Sequence, residues 1–412
     1  MLELQKLDKY IVLLMLALLP MDMINSIMLK NEIILPITLG QLFKLIIIAV
    51  LFFRFYLFNF KLLLTSCLLF LLLLIPSFYQ IFIQLDASFL FSDIVKVSKY
   101  LMPLLSFYFF REYIKRQEPT EIKKLFNLVW FSYIVLVVNI LMKYVGFGYP
   151  MYASGDIGSK GLFYAGNETS ALLIILTSIL AYEMFFKKKG WQFYLFTIFS
   201  LFIGLSIGSK TGTLGVLLLL VLIPLKRPSI KSNTEEFKKL GYKVFGFIPI
   251  MAFGTWIALK HTSGYGRISY YWEKLDVFTF ILSHRNFFCA DSYSIYQSKY
   301  NFIERIIGVG QTKYELLNNF KIIEIDIADI FFAFGFIGLF LFVFLIFNLM
   351  SQSWKLSKLK EHPYTNFVFL MVFVLLGISS IAGHVFSSGM SAVFIGLLFS
   401  LMYIKENVVL KK

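Results

Sequence analysis

The feature that most constrains this chain is a succession of apolar runs, each near the roughly 20 residues a helix needs to cross a bilayer core. About twelve can be drawn: 10–29, 33–53, 60–83, 93–112, 125–145, 168–187, 190–208, 211–226, 243–260, 328–350, 364–383 and 385–404. Within hydrocarbon every backbone N–H and C=O must be satisfied locally, so such runs fold as helices. The expected class is all-α, a polytopic membrane protein of about 12 transmembrane helices. Residues 1–259 would hold nine spans, 260–327 one large loop, and 328–412 three more spans and a tail. With 58% hydrophobic residues among 412, a soluble globular protein is excluded. The first run, Ile11 to Met28, has no small-residue cleavage signature and reads as a retained helix.

The net charge of +15 raises the question of a nucleic-acid partner, which the placement of the charges excludes. Lysines and arginines gather between apolar runs, in alternate connections. One set carries Arg54 and Lys61, then Arg111, Lys115 and Arg116, Lys187 to Lys189, Lys226 to Lys243, Lys355 to Lys360, and the C-terminal tail. The intervening connections are nearly bare, with Lys30, Lys160 and Lys210 as their few cations. The positive-inside rule then puts both termini in the cytoplasm and the 260–327 loop on the outer face. Cys67 and Cys289 are the two cysteines, which is no disulfide framework.

An enzyme on the outer face is separated from cytosolic nucleotide-sugars, so its donor must bring its own leaving group; a lipid-linked diphosphate does so. Lys210, at the outer end of the seventh span, either faces a polar cavity as partner to such a diphosphate or snorkels to the interface as a flank. Arg267 either forks onto phosphate oxygens or pairs with Glu273 or Asp276, while Tyr271 and Trp272 stack on sugars or settle at the interface. His284 and Arg285 form a second cationic pair, with His284 a general base or merely solvated. Glu324, Asp326 and Asp329 approach the tenth span. Any of them is a carboxylate able to orient or deprotonate a sugar hydroxyl, or to cap that helix; Asp329 reads best as a cap and Asp326 as the functional acid. His384 lies at the turn between the last two spans, lining the same cavity or satisfied by Ser387 or Ser388. Asn167, beside Glu168, opens the sixth span, where Asn167 or Thr169 suits its N-cap. There is no metal-ligand spacing, dinucleotide fingerprint or P-loop, so no metal or other cofactor is expected.

Several short stretches carry a family likeness. They are Gly161-Leu-Phe-Tyr-Ala-Gly-Asn167, Ser209-Lys-Thr-Gly212, Arg267 followed by Trp272, Gly308-Val-Gly310, and the acidic approach to Phe334-Gly-Phe-Ile-Gly338. In these the chain resembles the O-antigen polymerase and O-antigen ligase superfamily of bacterial polysaccharide assembly. The resemblance implies a GT-C-like architecture in the bacterial inner membrane. It implies inverting, metal-independent transfer of an undecaprenyl-diphosphate-linked oligosaccharide onto a sugar hydroxyl, with membrane lipid and a chain-length regulator protein as partners. On that reading Arg267 and Lys210 hold the donor diphosphate. Arg285, Asn167, Tyr271, Trp272 and His384 line the substrate, and Asp326, Glu324 or His284 serves the acceptor. Two departures stand out: Lys210 replaces the family's arginine, and the Glu324, Asp326 and Asp329 group replaces the ligase's histidine. The chain therefore resembles a polymerase more than a ligase. The alternatives are a ligase-type transferase and a flippase of lipid-linked oligosaccharides, although matched inverted halves are not evident.

Overall fold

The computed structural model describes residues 2–33, 35, 37–116, 118–152, 156–187, 190–224, 264–359 and 361–406. The expected ninth span, 243–260, and the basic connection before it lie outside the described residues. What is described is helical, with two isolated bridges (Tyr149 to Gly161 and Tyr152 to Ile157) and no strand among the described residues. The chain divides into two compact units, residues 1–128 with 278–412, and residues 129–277.

The first unit begins with α1 (Leu2–Leu16), α2 (Leu18–Lys30), α3 (Leu39–Phe58), α4 (Phe60–Leu73), α5 (Ile75–Ile83) and α6 (Leu90–Lys115). Helix α7 (Pro119–Leu141) starts in it and ends in the second unit. That second unit continues through α8 (Gly166–Phe186), α9 (Gly190–Ile207), α10 (Lys210–Leu222) and α11 (Gly264–Lys274). The chain then returns to the first unit with α12 (Val277–Leu282), α13 (Arg285–Lys299), α14 (Phe302–Ile307) and α15 (Gln311–Leu317). It closes with α16 (Asp326–Ser357), α17 (Thr365–Ala382) and α18 (Ala392–Ser400). The described part of the large polar loop is thus a series of short helices.

Local chemistry fixes several helix ends. Thr38 caps α3 reciprocally: its hydroxyl accepts from the Gln41 amide at 3.3 Å, and the Gln41 side chain accepts from the Thr38 N–H at 3.2 Å. Asn301 and Glu304 do the same for α14. Between α4 and α5 the axis bends by 53°, at Ile75-Pro76, where proline removes a helical donor and crowds the preceding turn. Gly335 breaks α16 with φ 61°; its α-carbon faces the Ile306 carbonyl so closely that a built Cβ would lie 2.2 Å from that oxygen. Helix α14 thereby docks against α16.

The protein is a polytopic helical membrane protein. Among the described residues, seven stretches are long and apolar enough to cross a membrane: Glu3–Lys30, Leu39–Phe58, Pro119–Val145, Gly166–Phe186, Gly190–Ile207, Asp326–Ser357 and Thr365–Ala382. The bent pair α4 and α5 supplies an eighth if counted as one span. Along α16, Phe336, Phe340, Val343, Phe344 and Phe347 are all exposed at helical spacing, a stripe suited to lipid.

Three expected spans take a different form. Helix α6 covers 93–112 but carries Asp93, Lys96 and Lys99 in its first turns, and Asp93 and Lys96 are tied inside the unit rather than offered to lipid. Helix α10 ends at Leu222 and is 13 residues long. The last helix starts at Ala392, not near 385, because residues 383–391 are held as a turn by a buried carboxyl group.

Candidate functional site

The site in the first unit grows from that turn. Asp326, the first residue of α16, has no exposed surface. Its Oδ2 accepts from the Ser379 hydroxyl and from the backbone N–H groups of Val385 and Phe386, each at 2.9 Å. Its Oδ1 accepts from the Ser387 hydroxyl at 2.6 Å. Four donors from α17 and the turn therefore converge on one carboxyl, which shapes the turn as a ligand shapes a loop. Ser391 closes it, donating through its hydroxyl to the Val385 carbonyl at 3.2 Å.

Fixing the turn fixes His384 opposite Glu324. Both residues are left-handed, with φ 53° and 62°, a conformation that costs non-glycine residues energy and collects at functional sites. Gly383 makes the approach possible. Its φ is 56°, and a built Cβ would stand 1.8 Å from the Glu324 carbonyl oxygen. The His384 Nε2 lies 3.6 Å from Glu324 Oε1, and the ring's Nδ1 is 3.4 Å from the Ser387 hydroxyl. Arg285 donates from Nη2 to Glu324 Oε2 at 2.6 Å, and from Nη1 to the Leu282 carbonyl at 3.4 Å. Arg285, Glu324 and His384 thus form one row, with the Glu324 side chain 32% exposed and those of Arg285 and His384 at 12% and 20%. That opening separates Glu324 from Asp326.

Burial pushes the Glu324 carboxyl up, but His384 and then Arg285 outweigh it and leave the group below the ordinary glutamate range. A depressed carboxyl adds stability that is complete above its unfolded value and is lost as pH falls through the lower folded one. His384→Ala removes part of what holds Glu324 down. The variant is expected to lose thermal stability at a higher pH than the wild type as both are acidified, read from melting temperatures between about pH 3 and 6.

A supporting layer holds this row. Asp329 accepts from the Tyr314 hydroxyl at 2.6 Å and from the Ile323 N–H at 3.1 Å, pinning the residue just before Glu324. Burial, then the nearby Asp329, raises the Tyr314 hydroxyl and keeps it protonated. Asp93, also without exposed surface, accepts from the Thr312 N–H at 2.7 Å and the Ser77 hydroxyl at 2.6 Å, seating α15 on α6. Lys96 of α6 pairs with Glu315 of α15 at 2.7 Å across the same contact. Glu324 and Asp329 therefore take separate partners and do not converge, since the helix begins at Asp326 and Glu324 lies outside it.

Of the residues singled out from sequence, the structure brings together Arg285, Glu324, Asp326 and His384. His284 is half-buried at the left-handed start of α13, its ring 6.0 Å from that of Phe287. The others fall in the second unit. There the Ser170 and Ser209 hydroxyls are 2.6 Å apart, and the Ser159 N–H donates to the Ile207 carbonyl at 3.2 Å. The Gly-Leu-Phe stretch and the Ser-Lys-Thr-Gly turn consequently meet at one corner, with Asn167 in the first turn of α8 and Lys210 opening α10. Arg267, Tyr271 and Trp272 lie along α11, with Trp272 exposed. Sequence reading missed Asp93, Tyr314 and the pair Asp22–Lys44. The last had a usable signal, an acid and a base each inside an apolar run.

No curated protein and no solved structure gives a significant match to the chain. Residues 270–407, which contain the Arg285, Glu324, Asp326 and His384 cluster, match the family model for O-antigen ligase like membrane protein. Over these residues, about a third of the chain, the protein is similar to O-antigen ligase-like membrane proteins, a match consistent with the O-antigen polymerase and ligase superfamily.

Proposed function

We propose that the protein is a polysaccharide polymerase. It transfers a glycan from an undecaprenyl-diphosphate donor onto a sugar hydroxyl of a second lipid-linked repeat unit, at the outer face of the cytoplasmic membrane, with inversion and without metal. The observation that carries the reading is the Arg285–Glu324–His384 row, part-exposed at the membrane-helix ends and inside the matched family region. The alternation of basic and bare connections supports the outward placement.

In this mechanism Glu324 accepts the hydrogen bond of the acceptor hydroxyl and draws off its proton as the glycosidic bond forms. Arg285 and His384 fix the carboxyl's rotamer and keep it ionised. The leaving diphosphate departs with the bonding electron pair and needs cations to stabilise its growing charge. Asp326, with four donors and no open surface, holds the turn instead of meeting substrate.

The test is purified protein with a lipid-linked repeat unit, with and without chelator. The expected product is a ladder of increasing length in both. Absence of any ladder from well-folded protein rejects the polymerase. The family description favours one second reading, ligation onto a different lipid-anchored acceptor. It would show as single transfer of preformed polymer to that acceptor with no ladder.

A further inference from the structure

Two ion pairs tie the first span to α3, and they differ in a way that matters. Asp8 accepts from Arg54 Nε at 3.0 Å and from Arg116 Nη2 at 2.8 Å; Asp8 has no exposed surface and Arg54 3%. Within that cluster the Asp8–Arg54 pair is closed and only the outlying Arg116, which also pairs with Glu121 at 3.1 Å, is 19% exposed. The second pair, Lys44 with Asp22 at 2.7 Å, is open: the lysine side chain is 17% exposed and the aspartate 9%. An ammonium has three donors. Asp22 takes one, and the described residues supply no hydrogen-bond partner for the other two. Lys44 is the sixth residue of α3, about 8 Å in from its start at 1.5 Å per residue. An ionisable group at such depth points to a function with a defined partner.

What Lys44 faces is the functional turn. A Cβ built on Gly389 would lie 3.3 Å from Lys44 Cδ and 3.4 Å from its Nζ, so the lysine runs along the turn's backbone. Three residues earlier in the same turn, Phe386 gives its N–H to Asp326 and its ring to the wall of a cavity of about 190 Å³. Mostly apolar side chains from α4, α6, α16 and α18 supply the rest of that wall, together with Arg111, Asn348 and Gln352, and it runs from Ile330 along α16 to Gln352. One short turn therefore joins a cation with spare donors to a mostly apolar cavity. A molecule with an anionic head and a hydrocarbon tail fits both.

We infer that Lys44, held by Asp22 beside the 383–391 turn, is a binding residue for a diphosphate carried on a lipid. The inference rests on the polymerase reading for its choice of ligand. Asp22 holds the ammonium in place until the more highly charged diphosphate takes up its free donors.

The test uses the full chain purified in detergent, with farnesyl diphosphate, farnesol and inorganic pyrophosphate as probes. The double variant Lys44→Gln/Asp22→Asn keeps a side-chain pair of similar size and removes both charges. It is expected to melt near the wild-type temperature and to bind farnesyl diphosphate about tenfold more weakly or worse, with farnesol binding unchanged. Asp22→Asn alone, which frees the lysine from its counter-charge, is expected to bind farnesyl diphosphate at least as tightly as wild type. A folded double variant with wild-type affinity overturns the assignment, as does weaker binding by Asp22→Asn. Inorganic pyrophosphate binding as tightly as the lipid, and losing it in the double variant, rejects the lipid as source while keeping the cation's role. Lys44-dependent binding in a protein that makes no ladder would reject the polymerase reading alone. A ladder formed by the double variant with unchanged KM would reject this inference alone.

Discussion

Glu324→Gln is expected to slow chain extension by on the order of 10²–10⁴-fold, the range for removing a general base, with the protein still folded and inserted. Glutamine keeps the volume of the side chain. Its carbonyl oxygen can still accept from Arg285, whose Nη2 is 2.6 Å from the native carboxyl. Its amide can face His384, whose ring takes whichever tautomer accepts. What is lost is the negative charge and the ability to take a proton. Initial rates of ladder growth, measured beside melting temperatures, separate the chemistry from the fold. A rate within a few-fold of wild type would remove Glu324 from the mechanism. The companion change, Arg285→Gln, leaves the acid present but releases one of the groups orienting it. It should fall between the wild type and Glu324→Gln.

The membrane class and most spans were legible in the sequence because burial in lipid leaves a one-dimensional trace: runs of apolar residues whose length matches the bilayer. The failures came where three-dimensional partners override that trace. The turn at 383–391 reads as the start of an apolar span, and only the buried carboxyl of Asp326, far away in sequence, explains why the helix waits until Ala392. The same carboxyl reads from sequence as the functional acid; what sequence does not show is the four donors around it. Glu324 was visible as an acid and His384 as a histidine. Their pairing depends on two left-handed residues and on Gly383, a backbone event with no periodic signature. Tyr314 and Asp93 sat unmarked because a tyrosine in a loop and an acid at a span's start are ordinary until their partners are known.

Asp326→Ala is expected to be the most damaging single change to the fold of the first unit. It deletes the common acceptor of two hydroxyls and two backbone N–H groups in a place with no solvent to replace it. Each orphaned buried donor costs roughly 1–3 kcal/mol. The serines can turn elsewhere, but the Val385 and Phe386 amides are fixed to the backbone, so a loss of about 3 kcal/mol or more remains. Asp326→Asn makes the sharper comparison. Its carbonyl oxygen can take the three-donor side and its amide can donate to Ser387, whose hydroxyl is free to rotate. That variant should therefore keep its melting temperature within a few degrees and retain most of its polymer-forming rate. The two outcomes together test the division of labour between neighbouring acids: if Asp326→Asn folds normally yet makes no polymer while Glu324→Gln remains active, the reacting carboxylate is Asp326, and the row beside it is scaffolding.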